Sequence, residues 1–216
     1  YKNCTIFHYH LFGSSVLVLF NMLLAKLLFA KITITIHDVK SFSSASSFKL
    51  YSRLIYFFSD TIITHNEYSF KEIIEKNTSL SIKTSIIPHG NYLPFIKIKE
   101  NQKASRIKLG IEKEKKVLLF FGMIKKVKGL DILLSSLPKV IEKHSSLVLL
   151  IAGKPWKDDF SYYQKLIDEL SISKYCKLDI KFISHSDVSY YYSAADIVIL
   201  PYRKIYQSGV LMMSLS

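Results

Sequence analysis

The chain has 216 residues, enough for one large domain or two small ones, and 49% of them are hydrophobic. Only 7 glycines and 5 prolines stand against 14 tyrosines and 14 phenylalanines, which excludes a collagenous, low-complexity or disordered chain. The formal charge of +13 comes almost wholly from scattered lysines, with Arg53, Arg106 and Arg203 the only arginines, so neither the arginine-rich stripe nor the reader motif of a nucleic-acid binder is present.

A basic surface facing anionic headgroups, an anionic ligand, or a lysine-rich composition with no partner would each account for the charge. Cys4 and Cys176 share no disulfide or metal spacing and read as reduced structural thiols of a cytoplasmic protein, with no zinc site. Tyr at position 1 and an apolar segment running to Ser216 read as a piece cut from a longer chain.

Ile6 to His10 reads as the tail of a strand. His8 and His10 share one side of it, where packing and local hydrogen bonding outweigh metal ligation. Leu11 to Ala30 is the most hydrophobic stretch, yet Lys26 interrupts it before roughly 20 apolar residues accumulate. A buried helix is therefore expected, one able to help a monotopic enzyme sit on a bilayer. Lys31 to Ile36 alternates like a strand and delivers His37 and Asp38 to its carboxyl end. Ser41 to Ser47 reads as a mobile loop, Leu50 to Phe58 as a helix and Asp60 to His65 as a strand. Asn66 is placed to cap the next helix. Ile82 to Ile87 reads as a strand closed by Pro88-His89-Gly90, and residues 95–116 as a linker.

Val117 to Phe121 is an unbroken apolar run, the pattern of a strand buried on both faces in a parallel sheet. Gly122 ends it. Gly129 opens a series at Leu130, Leu133, Leu134, Leu137, Val140 and Ile141 that puts one apolar stripe on a helix, which Pro138 is expected to kink or split near Leu137. Lys125, Lys126 and Lys128 lie between strand and helix. A short basic loop at the carboxyl end of a parallel strand is where an open α/β sheet takes its ligand, and lysines there suit a phosphate or diphosphate. A merely solvated lysine loop fits the stretch equally well.

Leu147 to Ala152 reads as a strand ended by Gly153-Lys154, Phe160 to Leu170 as a helix and Ile180 to Ile183 as a strand. Asp187 to Ser193 reads as a short helix, and Ala194 to Tyr202 as a buried strand with a proline stop. Gln207-Ser208-Gly209-Val210 enters a last helix, and a glycine there lets amides approach an anion. Strands alternating with helices throughout predict an α/β fold with parallel sheets and right-handed crossovers.

Phe120-Phe121-Gly122-Met123-Ile124-Lys125-Lys126-Val127-Lys128-Gly129-Leu130-Asp131 resembles the donor-site loop of the large retaining glycosyltransferase family usually called family 4, of the two-domain GT-B type. Ser193 to Tyr202, followed by Gln207 to Leu211, is similar to a subgroup met in extracellular polysaccharide synthesis. Thr35-Ile36-His37-Asp38 and Ile87-Pro88-His89-Gly90 resemble junctions of the family's first domain. The resemblance implies two incomplete Rossmann-like domains facing a cleft: 1–94 on the acceptor side, 95–116 as linker, and 117–216 holding the nucleotide sugar. It implies a hexosyl transfer, with retention, from a nucleotide-diphosphate donor to a hydroxyl of a saccharide or lipid-linked saccharide. Neither metal nor other cofactor would be required, since lysines carry the charge. A cytoplasmic location, with a peripheral seat on the anionic inner face of the membrane, goes with it.

By the same resemblance, Lys125 and Lys128 would neutralise the leaving diphosphate and His37 would touch the sugar. Gly122, Gly153, Lys154, Ile183, Ser184, Gln207, Ser208, Gly209 and Val210 would line the donor. The family's glycine-rich donor loop would precede residue 1. Met123 stands where many members carry arginine, and Tyr206 and Ser214 stand where most carry glutamates. The carboxylate contacts to sugar and ribose are therefore not carried over, and the donor stays open. A non-catalytic nucleotide-sugar or phosphosugar binding module, and a basic nucleic-acid-binding protein, are the alternative readings.

Overall fold

A computed structural model describes residues 5–39, 47–95, 100–157, 159–205 and 207–216. Cys4, the serine loop before Ser47, and Tyr206 lie outside the described residues. The chain divides into two compact units, Tyr1–Gly90 and Asn91–Ser216.

The first unit runs β1 (Ile6–Leu11), α1 (Val16–Leu27), β2 (Lys31–Ile36), α2 (Ser47–Phe58), β3 (Thr61–Thr64), α3 (Glu67–Ile74) and β4 (Thr84–Ile86). Its four strands pair in parallel in chain order, β1-β2-β3-β4. Ile32, Ile34 and Ile36 of β2 are fully buried with Met22, Ile55, Ile62 and Ile73, which makes β2 the centre of this core. Asn66 caps α3 as the sequence implies, its Oδ1 accepting the Ser69 amide at 2.8 Å. The strand expected over Ile82–Ile87 is shorter, because Asn77 caps a 3-10 segment that occupies Thr78–Lys83.

The expectation of a buried helix after Leu11 is corrected. α1 buries only Leu19, Met22 and Ala25, while Val16, Leu17, Phe20, Leu24 and Leu27 face outward. A helix apolar all round carries no periodic signal of which side is covered.

The second unit runs α4 (Gln102–Lys108), β5 (Lys116–Phe121), α5 (Leu130–Lys143), β6 (Leu147–Ala152), α6 (Ser161–Glu169), β7 (Cys176–Asp179), α7 (Val188–Ala194), β8 (Ile197–Val198) and α8 (Gly209–Ser214). Its parallel sheet has the order β7-β6-β5-β8. Phe120, Leu149 and Ile151 pack with α5 and α6 on one face; Val117, Leu119 and Leu150 pack with Tyr191 of α7 and Ile111 on the other. The chain winds outward from β5 to β7, then returns to lay β8 against the opposite side of β5. Such a reversal is where an open α/β sheet places its ligand crevice, here at the carboxyl ends of β5 and β8.

Four sequence expectations change in this unit. Within the segment read as linker, α4 is capped by Asn101 and carries a buried Arg106. α5 continues through Pro138 as one element, held by Leu130, Leu133, Leu134 and Leu137, which are buried along its length. The strand after α6 is Cys176–Asp179 rather than Ile180–Ile183, a half-exposed edge strand with a weak pattern. β8 keeps only two residues of the expected buried run, and Ile197 is 54% exposed because β8 pairs on one side alone.

The same polar closure appears at the amino-terminal edge of both sheets. Asp60 precedes β3; its amide donates to the Ile32 carbonyl at 2.8 Å and its carboxylate accepts the Ile32 amide at 2.7 Å. Asp196 precedes β8; its amide donates to the Val117 carbonyl at 2.9 Å and its carboxylate accepts the Val117 amide at 2.7 Å. Each aspartate also takes cations: Lys26 at 2.6 Å and Lys31 at 3.7 Å on Asp60, Arg106 at 2.8 Å and Lys116 at 3.8 Å on Asp196. Burial alone would raise the Asp60 carboxyl, but its bonds to Lys26 and Ile32 and the charges of Lys26 and Lys31 outweigh that and hold it below the ordinary 3.8.

A carboxyl held low in the folded state adds stability above its unfolded pKa and loses it as pH falls through the folded value. Asp60→Asn is therefore expected to cost about 1–3 kcal/mol at pH 7 by urea denaturation, the range for hydrogen bonds to a charged group. The gap between variant and parent should close below about pH 4; a gap that persists there would refute the charge-based account.

Candidate functional site

Three glycines bring the carboxyl ends of β5, β6 and β8 into backbone contact. A Cβ on Gly153, whose φ is +149°, would fall 2.0 Å from the Gly122 carbonyl oxygen. One on Gly129, at φ +70°, would fall 2.0 Å from the Pro201 carbonyl oxygen. At Gly122, at φ +95°, a Cβ would stand 3.1 Å from Lys128 Nζ and 3.2 Å from Val210 Cγ2, so the ammonium and the first turn of α8 both close on that point.

Arg203 ties the β5 and β8 loops together. Its amide donates to the Val127 carbonyl at 2.9 Å, Nη1 to the Lys126 carbonyl at 2.9 Å, and the guanidinium grips Asp131 at 2.7 and 2.6 Å. The hydrogen bonds from Arg203 are the main reason the Asp131 carboxyl lies below its ordinary value. On α8, Ser208 Oγ accepts the Leu211 amide at 3.1 Å and lies 3.0 Å from the Tyr202 hydroxyl. A Cβ on Gly209 would meet the Tyr92 hydroxyl at 3.0 Å.

The three loop lysines differ. Lys126 is exposed, and Lys125 is half-buried with its ammonium 4.4 Å from the Trp156 ring centre. Lys128 is half-buried, 5.8 Å over the Tyr202 ring, and burial followed by the charge of Lys125 pushes it down to about 8. Among the described residues no carboxylate supports that ammonium. A polar hollow of about 310 Å³ beside β7 mixes both signs of charge, Lys108, Lys177 and Lys181 with Asp179 and Asp187, and Lys108 is paired with Asp187 at 3.0 Å. The crevice at Lys128 thus holds an uncompensated cation.

Other residues expected at a donor site have structural partners. Ile183 is buried in the core against Tyr191 and Leu150, and Ser184 Oγ donates to the Asp187 carboxylate at 2.7 Å just before α7. Lys154 is exposed, while its carbonyl accepts the Ile124 amide at 2.9 Å. Gln207 is half-buried immediately before Ser208. Ser214 donates to the Val210 carbonyl at 2.7 Å. The Cys176 thiol, pushed up to about 11 by burial, is free. Tyr92, Tyr202 and Arg203 were missed by the sequence reading. Tyr202 and Arg203 directly follow the proline that ends the Ile197–Leu200 run, and that position was their one signal.

In the first unit, His37 leaves β2 with its amide donating to the Leu11 carbonyl at 2.9 Å. It belongs to a row. His8 stacks on His10 at 4.6 Å, His10 on His37 at 5.3 Å, His37 tilts onto His65 at 5.1 Å, and His65 meets His89 edge-on at 5.4 Å. Four parallel strands deliver these rings along one sheet end. His8 and His10 hydrogen-bond across to the neighbouring chain segment, to Thr35 at 2.8 Å and His37 at 3.0 Å.

The sequence pattern of a family described as Glycosyl transferases group 1 matches residues 101–208, half of the chain. Spore coat protein SA of Bacillus subtilis is 30% identical over 147 residues, covering 64% of this chain and 39% of that protein. The chain thus spans about two fifths of that relative's length. Anabaena HepE in complex with UDP has a TM-score of 0.73 at 16% identity, over 90% of this chain and 53% of that one. Sucrose-phosphate synthase from Thermosynechococcus elongatus has 0.69 at 16% identity, over 95% and 52%. These likenesses establish the α/β, GT-B fold class with parallel sheets.

Gly129→Ala should test the backbone contacts directly. The left-handed φ and the clash with Pro201 together predict a loss of about 2–5 kcal/mol in urea denaturation. A near-neutral result would mean the β5 and β8 loops do not touch in solution.

Proposed function

The chain belongs to the group 1 glycosyl transferases, and from that premise we propose that it forms part of an enzyme moving a sugar from a nucleotide-diphosphate donor to a hydroxyl acceptor, with the anomeric configuration retained. The observation that carries this reading is the half-buried ammonium of Lys128 at the sheet reversal, with no carboxylate beside it among the described residues. A cation held there without a counter-charge costs stability unless an anion completes it. Anabaena HepE is solved with UDP, a ligand of this class.

In this proposal the donor's diphosphate lies over Gly122, where a side chain would block its approach. Lys128 and Lys125 neutralise the charge that builds on the diphosphate as the bond to the anomeric carbon breaks, and the first-turn amides at Gly209 and Val210 add fixed dipoles. The acceptor oxygen bonds to that carbon and passes its proton to the departing diphosphate oxygen. Two lysines give the neutralisation that a divalent cation provides elsewhere, so no metal is assigned to this step. His37 is carried as the first unit's candidate for the sugar. Family 4 membership and a role in polysaccharide or glycolipid synthesis belong to the same proposal, with a saccharide or lipid-linked saccharide as acceptor.

The outward face of α1 supports a seat on a membrane surface. Val16, Leu17, Phe20 and Leu27 are each more than half exposed, while no helix among the described residues is long and apolar enough to cross a membrane. An exposed apolar helix face on a basic protein suits the interface of an anionic bilayer.

Two outcomes follow from the Lys128 assignment. In the full-length enzyme, Lys128→Ala should lower turnover on the order of a hundredfold or more, as loss of one oxyanion donor does, while Lys126→Ala should cost far less; equal losses would remove the diphosphate from this loop. Near pH 8, where about half of Lys128 lacks its proton, UDP binding should take up about half a proton, visible as a buffer-dependent enthalpy in titration calorimetry. For the membrane seat, Phe20→Ser with Leu24→Ser should abolish co-flotation with phosphatidylglycerol vesicles and leave the circular dichroism unchanged. Unaltered flotation would place the contact elsewhere.

A further inference from the structure

We infer that Arg203 is a positioning residue of the transferase: its clasp on Lys126, Val127 and Asp131 sets where the Lys128 ammonium stands beside Gly122. The inference rests on the diphosphate assignment of the lysine loop and adds to it the residue that aims the loop.

One tripeptide holds the lysine loop from three sides. Pro201 brings its carbonyl oxygen to 2.0 Å from where a Gly129 Cβ would stand. Tyr202 lays its ring 5.8 Å from the Lys128 ammonium, and its hydroxyl lies 3.0 Å from Ser208 Oγ. Arg203 makes four bonds to the loop. Its amide donates to the Val127 carbonyl at 2.9 Å, Nη1 donates to the Lys126 carbonyl at 2.9 Å, and the guanidinium meets both Asp131 oxygens at 2.7 and 2.6 Å. These contacts fall at positions 126, 127 and 131, on both sides of Lys128 in sequence, so the backbone that carries its side chain is fixed from either end.

The loop needs such a hold. On its own it is a single 3-10 turn, Lys126–Lys128, a conformation with weak hydrogen-bond geometry. No acid among the described residues fixes the ammonium directly, so its place depends on the backbone it grows from. The Arg203 side chain is 38% exposed and that of Asp131 18%. An ion pair this open to solvent contributes little to folding, whereas a planar fork gives its partners fixed directions. A misplacement of about 1 Å at a reacting centre can cost about a hundredfold in rate. The clasp therefore serves alignment more than stability.

The test follows the Lys128 ammonium and, separately, catalysis in the full-length enzyme. In Arg203→Lys and Asp131→Asn the fork is lost and water returns to the loop. Lys128, near 8 in the parent, should then titrate closer to its ordinary 10.5, read from its ε-carbon by NMR. Asp131→Asn frees no carboxylate that could pair with the lysine, so a rise there reports loosening alone. The other titratable groups at that ammonium, Lys125 and Tyr202, are unchanged in both variants. Turnover should fall about ten- to a hundredfold with the donor KM altered only a few-fold, and the double variant should be no worse than the poorer single one. Circular dichroism and the urea midpoint should stay close to the parent's. An unmoved Lys128 titration, or unchanged turnover, overturns the inference and leaves the transferase reading standing. A parent enzyme that binds no UDP would sink that reading instead, and the NMR titration would still judge the clasp. Should Asp131→Asn fail to fold, Arg203→Lys, which keeps the charge, decides.

Discussion

Backbone contact at glycine is the constraint on which the second unit's crevice rests. With Gly153 against the Gly122 carbonyl and Gly129 against the Pro201 carbonyl, the loops after β5, β6 and β8 lie closer than any side chain would permit. That closeness presses the Lys128 ammonium toward Gly122 and Val210 and removes much of its water. Burial then lowers its pKa, and no acid among the described residues offsets that, which is the ground on which an anion is proposed there. One steric fact therefore runs through electrostatics to the chemistry proposed for the loop.

The contrast with Arg106, Lys26 and Lys83 sharpens the point. Arg106 donates to Asp196, Ala194 and Lys113, and Lys26 donates to Asp60. Lys83 donates to three carbonyls at the end of α2. Those cations are satisfied and serve the fold. Lys128 alone among these is left to a ring face and a like charge, the kind of local conflict that folded proteins tolerate at working sites.

What the sequence revealed followed from burial. Val117–Phe121 and Leu147–Ala152 are covered on both faces, so their apolar runs read as strands without ambiguity, and Asn66 announced a helix start through its own side chain. The edge elements were harder. β7 reads Cys-Lys-Leu-Asp and β8 has two paired residues, because half-exposed edges place little demand on side-chain type. The Lys125–Gly129 loop stood out as a candidate anion site from its lysines. The Arg203–Asp131 clasp was not, since 72 residues separate its partners and only the sheet reversal joins them. The histidine row was half visible: His8 and His10 adjoin in sequence, but His37, His65 and His89 meet them through strand register.

The aspartate closures at the amino-terminal edges have a consequence for alignment. Parallel strands joined by two or three residue pairs, as β8 is to β5, have little of their own to fix which residue faces which. Asp196 fixes it by holding both the amide and the carbonyl of Val117, so a slip of one position would break two bonds at once and turn every side chain of β8 over. Pro201, Tyr202, Arg203 and Ser208 all lie downstream on that strand's exit. The two ends of β8 are thus geared: an acid at its amino end sets the pitch at which the residues beyond its carboxyl end come to rest.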